Sequence, residues 1–114
     1  TDHNYELKLK YKFQELLNFN VENEHSVSFY ADALNISPRH FTRQIKKITG
    51  MSAKQMIQKK IIDVAKERLL NSELDIAQIA YGLGFTNSPQ FARIFKSDTG
   101  LTPSEFRKSI DKTS

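Results

Sequence analysis

Apolar residues recur at intervals of three and four along most of the chain. Phe41, Ile45 and Ile48, for example, stand at positions i, i+4 and i+7, a spacing that places all three on one face of an α-helix. Polar and charged residues fill the positions between them, as in a helix with one buried face. The pattern predicts seven helices, at about residues 5–20, 27–34, 38–48, 52–71, 75–82, 89–98 and 103–110.

The N-terminal segment fits two patterns. Residues 7–13 alternate between apolar and polar side chains, as a β-strand does. The same segment also fits a helical stripe, formed by Leu9, Phe13, Leu16 and Leu17. No second strand is predicted that would pair with its backbone N–H and C=O groups. We therefore predict a helix here and an all-α fold.

Short polar signals mark where the helices begin. In Ser37-Pro38 and Ser88-Pro89, a hydroxyl that can cap the helix precedes a proline at the first helical position, where no N–H is needed. Three other segments have capping-box form, in which the side chain three residues on returns to the cap backbone. They are Ser52–Gln55, Asp75–Gln78 and Thr102–Glu105.

The helical pattern occurs twice. A shift of 50 residues aligns Phe41 with Phe91, Arg43 with Arg93, Lys46 with Lys96, Thr49 with Thr99 and Gly50 with Gly100. Upstream, a shift of 49 aligns Val27 with Ile76, Ala31 with Ala80 and Leu34 with Leu83. Two copies are too few for a solenoid. They predict two helix–turn–helix units in tandem.

Within each copy, one residue suits a tight turn and another suits a helix end. Asn35 and Gly84 lie between the paired helices, and both residue types tolerate the left-handed backbone conformation. Gly50 and Gly100 follow the second helix of each copy. One domain is predicted, with three parts: residues 1–50 with the first helix-turn-helix, residues 51–72 as a linker helix, and residues 73–114 with the second helix-turn-helix.

Charge is distributed unevenly around a net value of +4. Residues 1–36 hold 3 basic and 6 acidic residues, whereas residues 37–114 hold 14 basic and 7 acidic residues. Residues 39–60 contain seven Lys or Arg and no Asp or Glu. A concentrated basic segment indicates a polyanionic partner, although a solvated helical face also has this composition.

The basic residues fall opposite the predicted core. On the helix after Ser37 the outward face carries Arg39, Arg43 and Lys46, flanked by Thr42, His40 and Lys47. In the second copy Phe91, Ile94 and Phe95 face inward and Arg93 and Lys96 face outward. Such a face suits the major groove of duplex DNA, which admits one α-helix and offers guanine to a bidentate arginine. Lysines and helix-capping groups are better suited to phosphates, and the expected phosphate contacts are Ser37, His40, Lys46, Lys47, Asn87 and Lys96.

The second copy also carries a specific motif. The stretch Ile79-Ala80-Tyr81-Gly82-Leu83-Gly84-Phe85 is followed by Phe91, Arg93, Phe95, Lys96, Gly100, Pro103 and Phe106-Arg107. With this motif, residues 5–110 resemble the DNA-binding domain of AraC-type (AraC/XylS) transcription regulators. The resemblance implies recognition helices at residues 38–48 and 89–98. It also implies base contacts from Arg39, Thr42, Arg43, Ser88, Gln90 and Arg93.

The two copies are expected to contribute unequally. Pro89 stands where some relatives carry a polar side chain, so the second unit is expected mainly to position the protein on the DNA backbone. A linker helix from Ala53 to Leu70 is about 27 Å long. We predict that it is a rigid spacer between two recognition helices that contact segments about 10 base pairs apart.

Catalysis is not predicted. The chain has no Cys, and His3, His25 and His40 lack the spacing of metal ligands. The sequence also contains no Gly-rich phosphate loop. We predict no enzyme activity, no metal and no cofactor. A helical protein–protein interaction module without DNA binding is the alternative, but it does not require an acid-free segment. Binding to a membrane surface is disfavoured because the Phe stripes face a core.

Further partners follow from the resemblance. It implies RNA polymerase as a partner, and an upstream domain with a sensing, receiver or dimerisation role. The absence of an initial Met fits a longer parent protein. No run of 18 apolar residues is present, so no membrane span is predicted and the expected location is cytoplasmic.

Overall fold

The computed structural model describes the backbone of residues 2–111 and the side chains of residues 4–110. Within this range the chain forms seven helices and no strand, which confirms the predicted all-α fold. His3 lies outside the described side chains. The helices are α1 (Asp2–Asn20), α2 (Val27–Ala33), α3 (Pro38–Thr49), α4 (Ala53–Asn71), α5 (Ile76–Gly82), α6 (Ser88–Thr99) and α7 (Pro103–Asp111).

The helices belong to two compact units that divide within α4. The first unit extends to Lys60 and the second begins at Ile61. Each contains one helix-turn-helix pair, α2 with α3 in the first unit and α5 with α6 in the second. In the first unit α1 also packs against α3, so the segment with two possible patterns is a helix with one buried stripe.

The core of the first unit is built on three aromatic rings. Phe13, Tyr30 and Phe41 are all 0% exposed. The ring centroid of Phe13 lies 4.9 Å from that of Phe41 and 5.5 Å from that of Tyr30, both edge to face, an arrangement that aromatic pairs favour. The Tyr30 hydroxyl donates to the Glu24 carbonyl at 2.7 Å, and burial raises the pKa of Tyr30 to about 12. A neutral tyrosine is therefore part of this core.

The second unit has a chain of four phenylalanines. Successive centroids of Phe85, Phe91, Phe95 and Phe106 are 5.4, 5.9 and 5.4 Å apart. Phe91 and Phe95 are completely buried, as their helical spacing predicts. The chain of rings joins the turn, the second helix of the pair and α7. It therefore fixes α6 from its buried side and leaves the other side in solvent.

The two predicted turns have the expected backbone. Asn35 has φ of 60° and Gly84 has φ of 88°. Residues other than Gly and Asn rarely adopt this left-handed backbone region. Directly after the turn, the Ile36 N–H donates to Ala31 and the Phe85 N–H donates to Ala80, at 3.1 and 3.0 Å. Both turns thus close with the same hydrogen bond, which confirms that they are equivalent.

One predicted helix start is wrong by one residue. Ser37 caps α3, accepting from the His40 N–H at 3.1 Å. In α6 the cap is Asn87, whose Oδ1 accepts from the Gln90 N–H at 2.8 Å. Ser88 is therefore the first helical residue. The second copy has one more residue before its helix, and an Asn side chain at that place is as good a cap as Ser.

The three predicted capping boxes and the two predicted glycine helix ends are confirmed. At Ser52, Asp75 and Thr102 the side-chain oxygen accepts from the N–H three residues on, and the side chain there accepts from the cap N–H. Gly50 and Gly100 end α3 and α6 with φ of 79° and 85°. The capping boxes therefore fix the first turns of α4, α5 and α7, and the glycines end α3 and α6.

A threonine closes each helix-turn-helix pair in the same way. The Thr49 hydroxyl lies 2.7 Å from the Ile45 carbonyl and accepts from the Met51 N–H at 3.1 Å. Thr99 repeats both contacts with Phe95 and Leu101, at 2.8 and 3.1 Å. In the sequence alignment of the two copies, these threonines are identical residues with no assigned role. Their contacts show that the backbone just after each second helix is held identically.

The apolar stripe of α4 is buried along both units. Ile57, Ile61, Ala65 and Leu69 are at most 3% exposed. Met56 and Val64, also predicted in the stripe, are half-buried, and Ile62 is an additional core residue. The two units therefore each receive part of their core from α4.

Candidate nucleic-acid interface

Helix α3 separates its buried and exposed sides sharply. Phe41 and Ile45 are 0% exposed, while Ile48 and Leu34 are half-buried at the edge of the core. All the side chains of the first unit that are predicted to contact DNA are exposed. They are Ser37, Arg39, His40, Thr42, Arg43, Lys46 and Lys47. The structure therefore presents the predicted site residues of the first unit on the free side of one helix.

The two arginines of this side have no competing partner. Neither Arg39 nor Arg43 makes an ion pair or a side-chain hydrogen bond with any residue that the structure describes. A guanidinium is planar and carries five N–H donors in a fixed arrangement. Because both groups are exposed and unpaired within the described chain, their donors are available to an external acceptor.

The two lysines at the end of α3 differ from each other. The Lys46 ammonium donates to the Gly50 carbonyl at 2.9 Å, at the end of its own helix, where a cation also opposes the helix dipole. The Lys47 ammonium lies 3.0 Å from the Glu6 carboxylate of α1, with the side chains 66% and 22% exposed. One predicted phosphate contact therefore shares its charge with α1, and the sequence pattern did not identify Glu6 as its partner.

Helix α6 offers a less cationic side. Gln90, Arg93 and Lys96 are exposed, and Arg93 has no ion pair within the described chain. Ser88 is half-buried, so its hydroxyl is less accessible than predicted. Asn87 is exposed, but its Oδ1 is occupied as the helix cap. Its amide group is the part left for an external contact.

A residue outside the predicted site holds the second unit together at its far end. The Arg107 guanidinium donates to the carbonyls of Leu69, Leu74 and Ser72, at 3.0, 2.7 and 3.3 Å. These acceptors belong to the end of α4 and the loop before α5. Arg107 was part of the sequence motif, but helical periodicity gives no signal for contacts with residues 33 to 38 positions away.

Two lysines of the acid-free segment also lie outside the predicted site. Lys54 and Lys59 are exposed on α4, and neither makes an ion pair within the described chain. Sequence reasoning placed them in the basic segment without assigning a role. They add positive charge to the first unit beyond α3.

The described residues show few features of other kinds of site. No three of their His, Asp and Glu side chains come together as metal ligands would. None of the helices in the described range is both long and apolar enough to cross a bilayer.

Two transcriptional activators are similar to the chain in sequence, and a family profile matches most of its length. A profile of a family described as a helix-turn-helix domain matches residues 30–109. The bifunctional transcriptional activator/DNA repair enzyme AdaA of Bacillus subtilis is 34% identical over 94 residues, which are 82% of this chain and 44% of that protein. The HTH-type transcriptional activator RhaS of Escherichia coli is 30% identical over 71% of this chain and 29% of its own length.

A solved structure gives the same fold. The C-terminal domain of AraT, a response regulator from Geobacillus stearothermophilus, has a TM-score of 0.81 and 27% identity, covering 89% of this chain and 84% of that one. The chain spans less than half the length of AdaA and RhaS, so the similarity concerns their helix-turn-helix part. Together with the family profile and the paired helix-turn-helix units, these similarities show that the chain belongs to the AraC-type family and forms the DNA-binding domain of a transcription regulator.

Proposed function

We propose that the domain reads duplex DNA by placing α3 and α6 in the major groove. The observation that carries the proposal is α3, whose exposed side bears Arg39 and Arg43 without an ion-pair partner in the described chain while Phe41 and Ile45 are completely buried. A helix held on its apolar side leaves the opposite side free to enter a groove about 12 Å wide. In the groove, the arginine side chains of α3 would donate hydrogen bonds to the edges of the bases.

In this proposal the side chains divide into two roles. Arg39, Thr42 and Arg43 contact bases in the first unit, because arginine matches guanine N7 and O6 and threonine matches a hydrogen-bonding group or a thymine methyl. In the second unit the base contacts come from Ser88, Gln90 and Arg93. Phosphates are bound by side chains near the ends of the recognition helices, namely Ser37, His40, Lys46, Lys47, Asn87 and Lys96.

We infer that the first unit contributes more specificity than the second. The exposed side of α3 bears Arg39, Arg43 and Lys46, whereas that of α6 bears Arg93 and Lys96. The half-buried Ser88 supports the same inference, since a base contact needs an accessible hydroxyl. The second unit then serves mainly to fix the protein on the backbone.

Binding, rather than catalysis, is the role proposed for these residues. An upstream sensing, receiver or dimerisation domain would control the binding, and RNA polymerase would respond to it in the cytoplasm. These proposals rest on family membership and on the short span of the match to AdaA and RhaS.

The decisive experiment compares two substitutions on the same helix. A duplex is first selected from a random pool with the unsubstituted protein. Arg43→Ala should then weaken binding by about 1–3 kcal/mol and relax the preference at one base pair. Lys46→Ala should weaken all duplexes alike and reduce the salt slope by about 1.

A matched control and a salt titration complete the test. Lys10→Ala removes the same charge from α1, outside the proposed interface, and should leave the selected sequence and affinity unchanged. With about 5–8 phosphate contacts, the log–log slope of affinity against salt should be roughly −4 to −7. A slope near zero would exclude DNA binding, and an unchanged sequence preference after Arg43→Ala would remove α3 as the reading helix.

A further inference from the structure

A concavity in the first unit is lined by residues that precede α3. It lies between α1 and the turn that joins α2 to α3, and its volume is about 250 Å³. Its apolar lining includes Leu9, Leu34 and Ile36. Its polar residues are Tyr5, Lys8, Lys12 and Asn35. The first three stand at positions i, i+3 and i+7 and therefore share one side of α1. We call this concavity the α1 pocket.

The lysines of the α1 pocket have unusual surroundings. Residues 1–36 contain only three basic residues, at positions 8, 10 and 12, among six acidic ones. Despite this excess of acid, neither Lys8 nor Lys12 makes an ion pair or a side-chain hydrogen bond with any described residue. Lys10 differs, because its ammonium lies over the Tyr11 ring at 5.8 Å and it does not line the pocket. Two unpaired cations therefore border an apolar concavity.

We propose that the α1 pocket binds a small amphipathic carboxylate. Two ammonium groups and a phenol offer donors to a carboxylate head, while the apolar lining accepts a short hydrocarbon or aromatic body. Small-molecule sites combine these features, with mostly apolar walls and a few polar groups that orient the ligand. The volume lies just below the range for drug-sized ligands, which favours a small ligand.

A DNA phosphate is a poorer match for the same residues. Phosphates are carried on a continuous polar backbone, and they bind to exposed cations or to backbone N–H groups. Such a ligand would leave the apolar lining of the pocket in contact with water. An amphipathic ligand instead removes apolar surface from water as its charge meets the lysines, so both parts of the site contribute to its binding.

The position of the pocket gives its ligand a route to α3. The turn that forms one wall ends at Ile36, and the next residue, Ser37, caps α3. A ligand that binds the folded unit and not the unfolded chain stabilises the fold, by an amount that grows with the logarithm of the ligand concentration above its Kd. Occupancy of the α1 pocket should therefore stabilise the start of the recognition helix, whether or not DNA is present.

The test uses octanoate, which has ten non-hydrogen atoms, and contains no DNA. In a ¹H–¹⁵N titration of the chain, octanoate should shift amide signals of residues 5–12 and 33–36 in a saturable manner. The double substitution Lys8→Gln with Lys12→Gln keeps most of each side-chain stem but removes both charges. It should raise the Kd about three- to tenfold, since each exposed ion pair contributes up to about fivefold.

Three comparisons decide the outcome. Lys10→Gln is the matched control and should leave the Kd unchanged, while octanol and inorganic phosphate should each bind at least about threefold more weakly than octanoate. Saturable shifts at the named residues with this order of affinities support the proposal. No saturable shift, equal binding of octanol, or equal weakening by Lys10→Gln overturns it. Because no duplex is present, these results are independent of whether α3 reads DNA.

Discussion

Arg107 provides the strongest prediction about the stability of the second unit. Its guanidinium donates to three backbone carbonyls, those of Leu69, Leu74 and Ser72. The bonds to Leu69 and Ser72 are partly buried, whereas the bond to Leu74 is exposed, and the one to Ser72 is long at 3.3 Å. Together they tie α7 to the segment between α4 and α5.

The expected loss follows from these three bonds. A buried hydrogen bond to a charged group contributes about 1.5–3 kcal/mol, and the exposed and long bonds contribute less. Arg107→Ala should therefore lower the free energy of unfolding of the second unit by about 2–3 kcal/mol. Arg107→Lys should recover less than half of this loss, because one ammonium lacks the planar set of donors that reaches all three carbonyls.

The assay combines urea unfolding with amide hydrogen exchange. A loss of about 2 kcal/mol corresponds to roughly thirtyfold faster exchange, and it should appear in residues 70–75 and in α7 while α1 to α3 are unaffected. Lys108→Ala is the matched control, since it removes an exposed positive charge from the adjacent position. If Arg107→Ala unfolds at the same urea concentration as Lys108→Ala, the three hydrogen bonds do not stabilise the unit.

Three other predictions concern charge, pH and the linker. Glu6→Gln frees Lys47 and removes a negative charge beside the proposed interface, so duplex affinity should rise up to about fivefold with stability changed by less than about 1 kcal/mol; a fall in affinity would contradict this. The pKa of Tyr30 is about 12 in the folded chain and about 10 in the unfolded chain, so the first unit should lose stability as pH rises from about 10 to 12. Tyr30→Phe should remove that part of the pH dependence in alkaline unfolding curves. Two alanines inserted between Lys60 and Ile61 add about 200° of helical rotation, so footprinting should show one protected segment in place of two while circular dichroism shows intact helices; two segments at full affinity would refute a rigid spacer.

The features that could be predicted from the sequence are those that short stretches of chain determine. The left-handed turns at Asn35 and Gly84 and the ends at Gly50 and Gly100 need only a residue that tolerates the conformation. The capping boxes need two side chains three residues apart. Even the one wrong helix start, at Ser88, exchanged one suitable cap for its neighbour Asn87. Such features are repeated in both copies because the same local physics applies to each.

Contacts between distant parts of the chain could not be predicted in this way. The ion pair of Lys47 with Glu6 depends on α1 packing against α3, and the bonds of Arg107 depend on α7 approaching the end of α4. The α1 pocket depends on both α1 and the turn after α2. Periodicity states which side of a helix is buried, but it does not state which helix covers that side.

Comparison of the two helix-turn-helix units shows which positions can be substituted without loss of the fold. The repeated framework residues form the turn closures, together with the threonines at 49 and 99 and the buried phenylalanines at 41 and 91. On the exposed sides only the arginines at 43 and 93 and the lysines at 46 and 96 repeat between α3 and α6. The residues that differ lie mainly on the exposed sides of α3 and α6, where a substitution leaves the core and the helix ends intact. Substitutions at such exposed positions usually change stability by less than about 0.5 kcal/mol. A paired helix-turn-helix therefore can acquire a different DNA preference in each unit, because the side chains proposed to contact bases are separate from those that maintain the fold.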